Sequence, residues 1–155
     1  MRAGKGGRNS FMARALNEAE AAARRGEVPV GCVIVDGTSG AVLAACANRT
    51  EELKDPTAHA EMLALREAAG KVGAPRLVGS DLYVTLEPCP MCAQAASLAR
   101  IARLYFGAYD PKGGGVEHGP RIFAQSTCHH RPQVYGGIAE ARCGALLKAF
   151  FAARR

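Results

Sequence analysis

Apolar positions recur along this chain with two periods, and the way those periods alternate predicts its elements. Phe11, Met12, Ala15, Leu16 and Ala19 stand three and four residues apart with polar residues between them, the stripe of an amphipathic helix over 10–25. Ser10 reads as its N-cap and Gly26 as its stop. The runs 30–36 and 42–47 are short and apolar, with Gly37, Thr38, Ser39 and Gly40 as turn chemistry between them, which predicts a β-hairpin. Met62, Leu63, Leu65 and Ala69 give a second helical face over 58–69, following Pro56 at a boundary where proline is tolerated. A strand rich in β-branched and aromatic residues, 82–86, runs straight into Glu87-Pro88-Cys89-Pro90-Met91-Cys92, after which 93–100 is helical. A further strand over 103–107 precedes 110–119, whose four glycines and one proline predict a loop. The segment 139–153 closes the chain as a helix.

Strands separated by helices of moderate length predict an α/β layered domain around a central sheet, with the strand order left open by pattern alone. At 155 residues, 48% hydrophobic and 22% charged, the chain has the size and balance of one globular domain over 1–155. Disorder is expected only in the basic, Gly-rich residues 1–9. No run approaches the roughly 18 apolar residues that cross a bilayer, and no apolar segment follows the basic start, so a cytoplasmic location is expected. A formal charge of +6 and a pI near 9.2 bring polyanions, nucleic acid among them, into consideration, although the same charge suits ordinary solvated faces.

The chemistry concentrates in His59-Ala60-Glu61 and, one strand later, in Pro88-Cys89-Pro90-Met91-Cys92. A catalytic zinc takes three protein ligands and keeps a fourth position for water, a count that His59, Cys89 and Cys92 meet. Cys89 and Cys92 are spaced so that both thiolates reach one ion from the first turn of a helix, where the helix dipole lowers thiol pKa. Glu61, two residues beyond His59, can enter the same cavity without ligating, as a proton shuttle must. Alone, the Cys-x-x-Cys pair would equally suit a redox dithiol or half of a structural zinc site. A thioredoxin-like redox motif has no use for His-x-Glu on the neighbouring helix. Cys32, Cys46, Cys128 and Cys143 read as small buried or partly buried fillers. For His118, His129 and His130, a second metal site and polar surface or substrate contacts both stay open.

His-x-Glu with Pro-Cys-x-x-Cys is the known signature of zinc nucleobase deaminases. From about Phe11 onward the sequence resembles the cytidine-deaminase-like superfamily and, within it, the tRNA adenosine deaminases of bacteria. The resemblance is carried by Glu27-Val28-Pro29-Val30-Gly31, Asn48-Arg49, Asp55 to Glu61, Leu82 to Cys89, Phe106-Gly107-Ala108 with Asp110, and Phe150-Phe151 near an Arg-Arg terminus. It implies a three-layer α/β/α domain with a mixed sheet of about five strands. It implies one Zn2+ per subunit with a bound water or hydroxide, held by His59, Cys89 and Cys92, and Glu61 as the catalytic residue. It further implies wobble-adenosine deamination in an arginine tRNA by a homodimer that binds the anticodon stem-loop. Asn48 would bond the flipped purine, Val30 and Glu27 would belong to the substrate pocket, Asp110 would sit beside the neighbouring nucleotide, and Phe150 and Arg154 would lie near the RNA path.

An amide on the base edge both donates and accepts, which suits Asn48 to reading a splayed base, although a turn residue after a strand is the plainer reading. Lys112-Gly113-Gly114-Gly115 offers backbone N–H groups that could meet a phosphate or simply form a flexible loop. Arg142, Lys148, Arg154 and Arg155 offer phosphate contacts. The segment from Gly113 to Pro132 is richer in glycine than the family pattern, and Thr127-Cys128-His129-His130-Arg131 departs from it. Two other readings compete: a deaminase of a free guanine- or cytosine-type base or nucleoside, and a non-catalytic zinc-stabilised RNA-binding subunit, which the presence of Glu61 disfavours.

Overall fold

The computed structural model describes residues 7–155. Five strands form one mixed sheet in the order β2-β1-β3-β4-β5. β1 (Gly31–Asp36) pairs antiparallel with both β2 (Val42–Ala47) and β3 (Ser80–Leu86), whereas β4 (Arg103–Ala108) runs parallel to β3 and to β5 (Gln133–Tyr135). The hairpin is therefore local. The parallel half is joined by longer connections, as parallel strands need: the helix Pro90–Leu98 links β3 to β4, and a loop over 109–132 with one 3-10 turn links β4 to β5.

Alternation along the central strands explains the three layers. Cys32, Ile34, Leu82, Val84, Leu104 and Phe106 point to one face, where they pack with α3 (Ala60–Val72) and α4 (Pro90–Leu98). Val33, Val35, Tyr83 and Tyr105 point to the other, against α1 (Arg8–Arg24) and α5 (Glu140–Ala152). Strands buried on both faces read as continuous apolar runs, as 31–35 and 82–86 do. Two glycines permit this close packing. A Cβ at Gly31 would fall on the Ala15 carbonyl and 2.8 Å from the Ala19 nitrogen, so α1 lies directly on β1. A Cβ at Gly107 would meet Cys143 of α5 and stand 2.7 Å from the Thr85 carbonyl.

The helix over 10–25 begins earlier than its pattern predicts. Gly7, not Ser10, is the N-cap, and Arg8 and Asn9 are already helical. The expected disorder of 1–9 is thus corrected for these two residues, and for residues 1–6 it lies outside the described residues. Three short elements have no counterpart in the periodicity: α2 (Thr50–Leu53), a 3-10 turn over Ile122–Ala124, and β5. Among the described residues no helix is long and apolar enough to cross a membrane.

Candidate active site

Two helices on the same face of the sheet begin at the site. His59 is the N-cap of α3, and Cys89 is the N-cap of α4, with Pro90 at the first helical position, where its missing N–H costs nothing. Cys92 follows one turn later and is buried. The Nδ1 atom of His59 lies 3.6 Å from Cys89 Sγ and 3.5 Å from Cys92 Sγ. A tetrahedral zinc with Zn–S about 2.3 Å and Zn–N about 2.0 Å separates sulfur from nitrogen by about 3.5–3.6 Å. The donor set therefore fits zinc in type and spacing. Among the described residues this is the one group of three such side chains within 4.8 Å of each other. His118, His129 and His130 form no second group there. His118 Nδ1 is taken by Glu87 at 2.8 Å and His130 Nε2 by the Ile101 carbonyl at 2.7 Å.

The thiols are electrostatically unequal. Hydrogen bonding from Cys92 lowers the Cys89 pKa to about 4, burial opposing it and His59 assisting. Its partner Cys92 is pushed up, by the hydrogen bond with Cys89 and by burial. His59 is raised, chiefly by its bond to Cys89. Glu61, on the first turn of α3, is 4% exposed, and burial pushes its carboxyl up to about 7. A carboxyl in that range can both accept and return a proton near neutral pH.

These groups open into a cavity of about 310 Å³. It is lined by His59, Glu61 and Cys89 together with Val30, Asn48, Thr50, Leu86, Glu87, Asp110 and Gly113. Val28, Leu86, Asp110 and Gly113 also border a larger cleft of about 890 Å³, lined further by Tyr109, Lys112, Lys148, Phe151 and Arg155.

Residues 7–108 match the cytidine and deoxycytidylate deaminase zinc-binding region. A tRNA-specific adenosine deaminase of Agrobacterium fabrum is 55% identical over 148 residues, 96% of each chain. The chain belongs to the tRNA-specific adenosine deaminase family. That of Bacillus subtilis is 43% identical to this deaminase, over 91% of this chain and 86% of the relative. A solved structure from work on A-to-I editing by tRNA:A34 deaminases at the wobble position of transfer RNA is 57% identical. It superposes with a TM-score of 0.86 over 88% of this chain and 98% of that one.

In this deaminase Asn48, Val30 and Asp110 line the same cavity as His59, Glu61 and Cys89. Asn48 is 7% exposed. Its amide donates to the Val28 carbonyl at 3.3 Å and accepts from the Thr50 N–H at 3.3 Å, so the turn role and a pocket position coincide in one side chain. Glu27 does not line the cavity. Its carboxylate is buried and accepts the Glu51 and Glu52 N–H groups at the start of α2. Phe150 and Arg154 are likewise absent from the cavity and the cleft, because Phe150 points inward and Arg154 stacks on its ring at 3.6 Å. One position along the helix is a turn of about 100°, and it is Phe151 and Arg155 that border the cleft.

The glycine run does not present free N–H groups to a phosphate. Gly113 N–H donates to Asp110 Oδ1, Gly114 N–H to the Asp110 carbonyl and Gly115 N–H to the Pro88 carbonyl. Thr50 and Tyr109 are pocket or cleft residues that sequence reasoning missed, and Phe151 lines the cleft where the Phe150-Phe151 pair was noted without saying which ring faces it. The basic residues near them were noted, but which side chains share a concave surface depends on how the 110–118 loop folds back. All six cysteines are free, with Cys32, Cys128 and Cys143 buried and Cys46 half-buried, in keeping with the filler reading.

Proposed function

We propose that this deaminase hydrolyses adenosine to inosine at the wobble position of a tRNA anticodon, arginine tRNA being the expected substrate. It would act as one deaminase domain over 1–155 and as a cytoplasmic homodimer with one zinc per subunit. The observation that carries the reading is the convergence of Glu61, 4% exposed, with the His59, Cys89 and Cys92 donor set beside a cavity that shares lining residues with a basic, aromatic cleft.

His59, Cys89 and Cys92 would hold the metal, which when bound supplies Lewis-acid activation of the attacking water. Every other part of the reaction falls to the chain's own groups. Glu61 takes a proton from the water that adds to C6 of the adenine ring and passes it to ring N1. It then takes the remaining proton from the C6 hydroxyl and delivers it to the departing amine, so that water and adenosine become inosine and ammonia. Asn48 keeps one donor and one acceptor position for the edge of the base, and Val30 gives the ring an apolar wall. Asp110, on both the cavity and the cleft, is placed to meet the neighbouring nucleotide. An anticodon loop is already single-stranded, so splaying one base into the cavity costs little. Lys112, Lys148 and Arg155 with Tyr109 and Phe151 supply the cations and ring faces that single-stranded RNA binds.

The test is inosine formation, read by nucleoside mass spectrometry, when zinc-loaded protein meets an arginine tRNA anticodon stem-loop with wobble adenosine. Guanine, cytidine and free adenosine in parallel are scored for ammonia. Inosine in the stem-loop with little ammonia elsewhere is expected. Ammonia from one small molecule and no inosine would move the protein to the free-base or nucleoside reading.

A further inference from the structure

Two glutamates outside the proton path are as buried as any core residue: Glu27 and Glu87 are each 2% exposed. A carboxylate so placed is costly unless its oxygens are hydrogen-bonded. Each of the two is satisfied in the same way, by backbone N–H groups of a loop far from it in sequence. Glu27 accepts the Glu51 N–H at 3.1 Å on Oε1 and the Glu52 N–H at 2.7 Å on Oε2. Glu87 gathers more. Its Oε1 accepts the Asp110 N–H at 3.0 Å and pairs with His118 Nδ1 at 2.8 Å. Its Oε2 accepts the N–H groups of Val116, Glu117 and His118 at 3.2, 2.8 and 3.1 Å. Burial pushes the Glu87 carboxyl up, but these bonds outweigh it and hold the group below the usual carboxylate value.

The segments so held both contribute lining to the cavity that His59, Glu61 and Cys89 share. Glu27 fastens the turn that carries Asn48 and Thr50, and Glu87 fastens the segment that carries Asp110 and Gly113. The glycines of that segment serve the same closure. A Cβ at Gly114 would strike the Glu87 carboxylate, and one at Gly115 would stand 2.6 Å from Pro90 Cα, so only glycine lets the backbone wrap the anion this closely. The nest of N–H groups that a phosphate could have occupied is filled from within by a side chain.

We propose that Glu27 and Glu87 are positioning residues, each an internal anion that sets part of the cavity lining against the base, and that neither acts on the metal. The inference rests on the adenosine deaminase reading for the identity of the base. Asn48 and Asp110 both line the cavity, so slack in either loop changes the separation of groups that meet the same nucleotide. A misplacement of about 1 Å is enough to cost a large factor in a positioned reaction. Glutamine is the informative replacement, because it keeps the shape and one acceptor but turns an NH2 group toward N–H donors.

The experiment compares zinc-loaded wild type with Glu27→Gln and Glu87→Gln by zinc content, amide hydrogen exchange, and steady-state kinetics on the anticodon stem-loop. Zinc content is expected to match wild type in both. Exchange should quicken by about tenfold at 50–53 in the first variant and at 113–118 in the second, the change that loss of one charge-assisted bond produces. KM should rise by about tenfold, with kcat changing less. Loosened loops with an unchanged KM would overturn the proposal, and so would unaltered exchange or loss of zinc with either variant. If Glu87→Gln does not fold, His118→Ala removes one of the five bonds from the surface side. It should quicken exchange over 110–118 and raise KM by a smaller factor, and no change in either would overturn the Glu87 half. A wild type that makes no inosine overturns the substrate reading, while the exchange pattern still decides whether the two glutamates anchor these loops.

Discussion

His59 Nδ1 stands 3.5 Å from Cys92 Sγ across 33 residues of chain, with β3 between the helices that carry them. The two helix starts are brought together by the sheet, and a metal held between them ties α3 to α4. Folding and metal binding are then coupled, since the ligands converge only in the folded chain. Cys89→Ala is expected to purify without zinc and to melt at a lower temperature than the holoprotein, read by metal analysis and thermal unfolding. Stripping zinc from wild type with a chelator should reproduce the same lowered melting temperature. Full zinc occupancy in Cys89→Ala would remove Cys89 from the ligand set.

Glu61 separates chemistry from metal binding. It lines the cavity beside the donor set but is not one of the three clustered donors. Glu61→Gln is expected to retain zinc and substrate binding while turnover falls by about 10²–10⁴-fold, the contribution of a positioned general acid–base. Single-turnover inosine formation at saturating protein, with zinc measured on the same sample, checks it. Loss of zinc together with activity would assign Glu61 to the metal.

The His59, Cys89 and Cys92 cluster and the layered fold were legible because both rest on local signals. Cys89 and Cys92 lie one helical turn apart, His59 and Glu61 bracket a helix start, and strands buried on both faces read as unbroken apolar runs. What was not legible depends on long-range closure. α2 has four residues and no buried side chain of its own, and Glu27, more than twenty positions earlier, holds its first turn. β5 has three residues and exists because β4 offers it a parallel edge. The resemblance pointed to Phe150 near the RNA path, whereas Phe150 is buried and Phe151 exposed, a division that two adjacent phenylalanines do not reveal by periodicity.

Gly31 is where α1 rests on the sheet, and its hydrogen is the whole of the clearance. A Cβ there would meet backbone atoms of Ala15 and Ala19, which cannot swing aside as a side-chain tip could. Gly31→Ala is expected to destabilise the holoprotein by about 1–3 kcal/mol, as overpacking in a filled core does. Chemical denaturation at fixed zinc measures it, and a variant as stable as wild type would show that α1 shifts freely on β1.

Phe150 and Phe151 stand in sequence but divide their roles, and their ring planes meet at 83°. Phe150 is 7% exposed and carries the Arg154 guanidinium on its face, so its removal opens a cavity under the last turn of α5. Phe150→Ala should cost about 3 kcal/mol, the lower end for a buried phenylalanine because the site is near the chain end. Phe151 is 44% exposed on the cleft with Lys148 and Arg155. Its replacement by alanine should leave stability within about 0.5 kcal/mol, since surface changes away from caps and cores rarely exceed that. The same variant should weaken stem-loop binding by about 1–3 kcal/mol, the worth of one base stacked on an aromatic ring. Fluorescence anisotropy with labelled stem-loop, beside thermal unfolding of both variants, separates the two effects. If Phe150→Ala weakened RNA binding at unchanged stability and Phe151→Ala did the reverse, the helix would present its other face to the RNA, and the cleft would not be the path the anticodon loop takes.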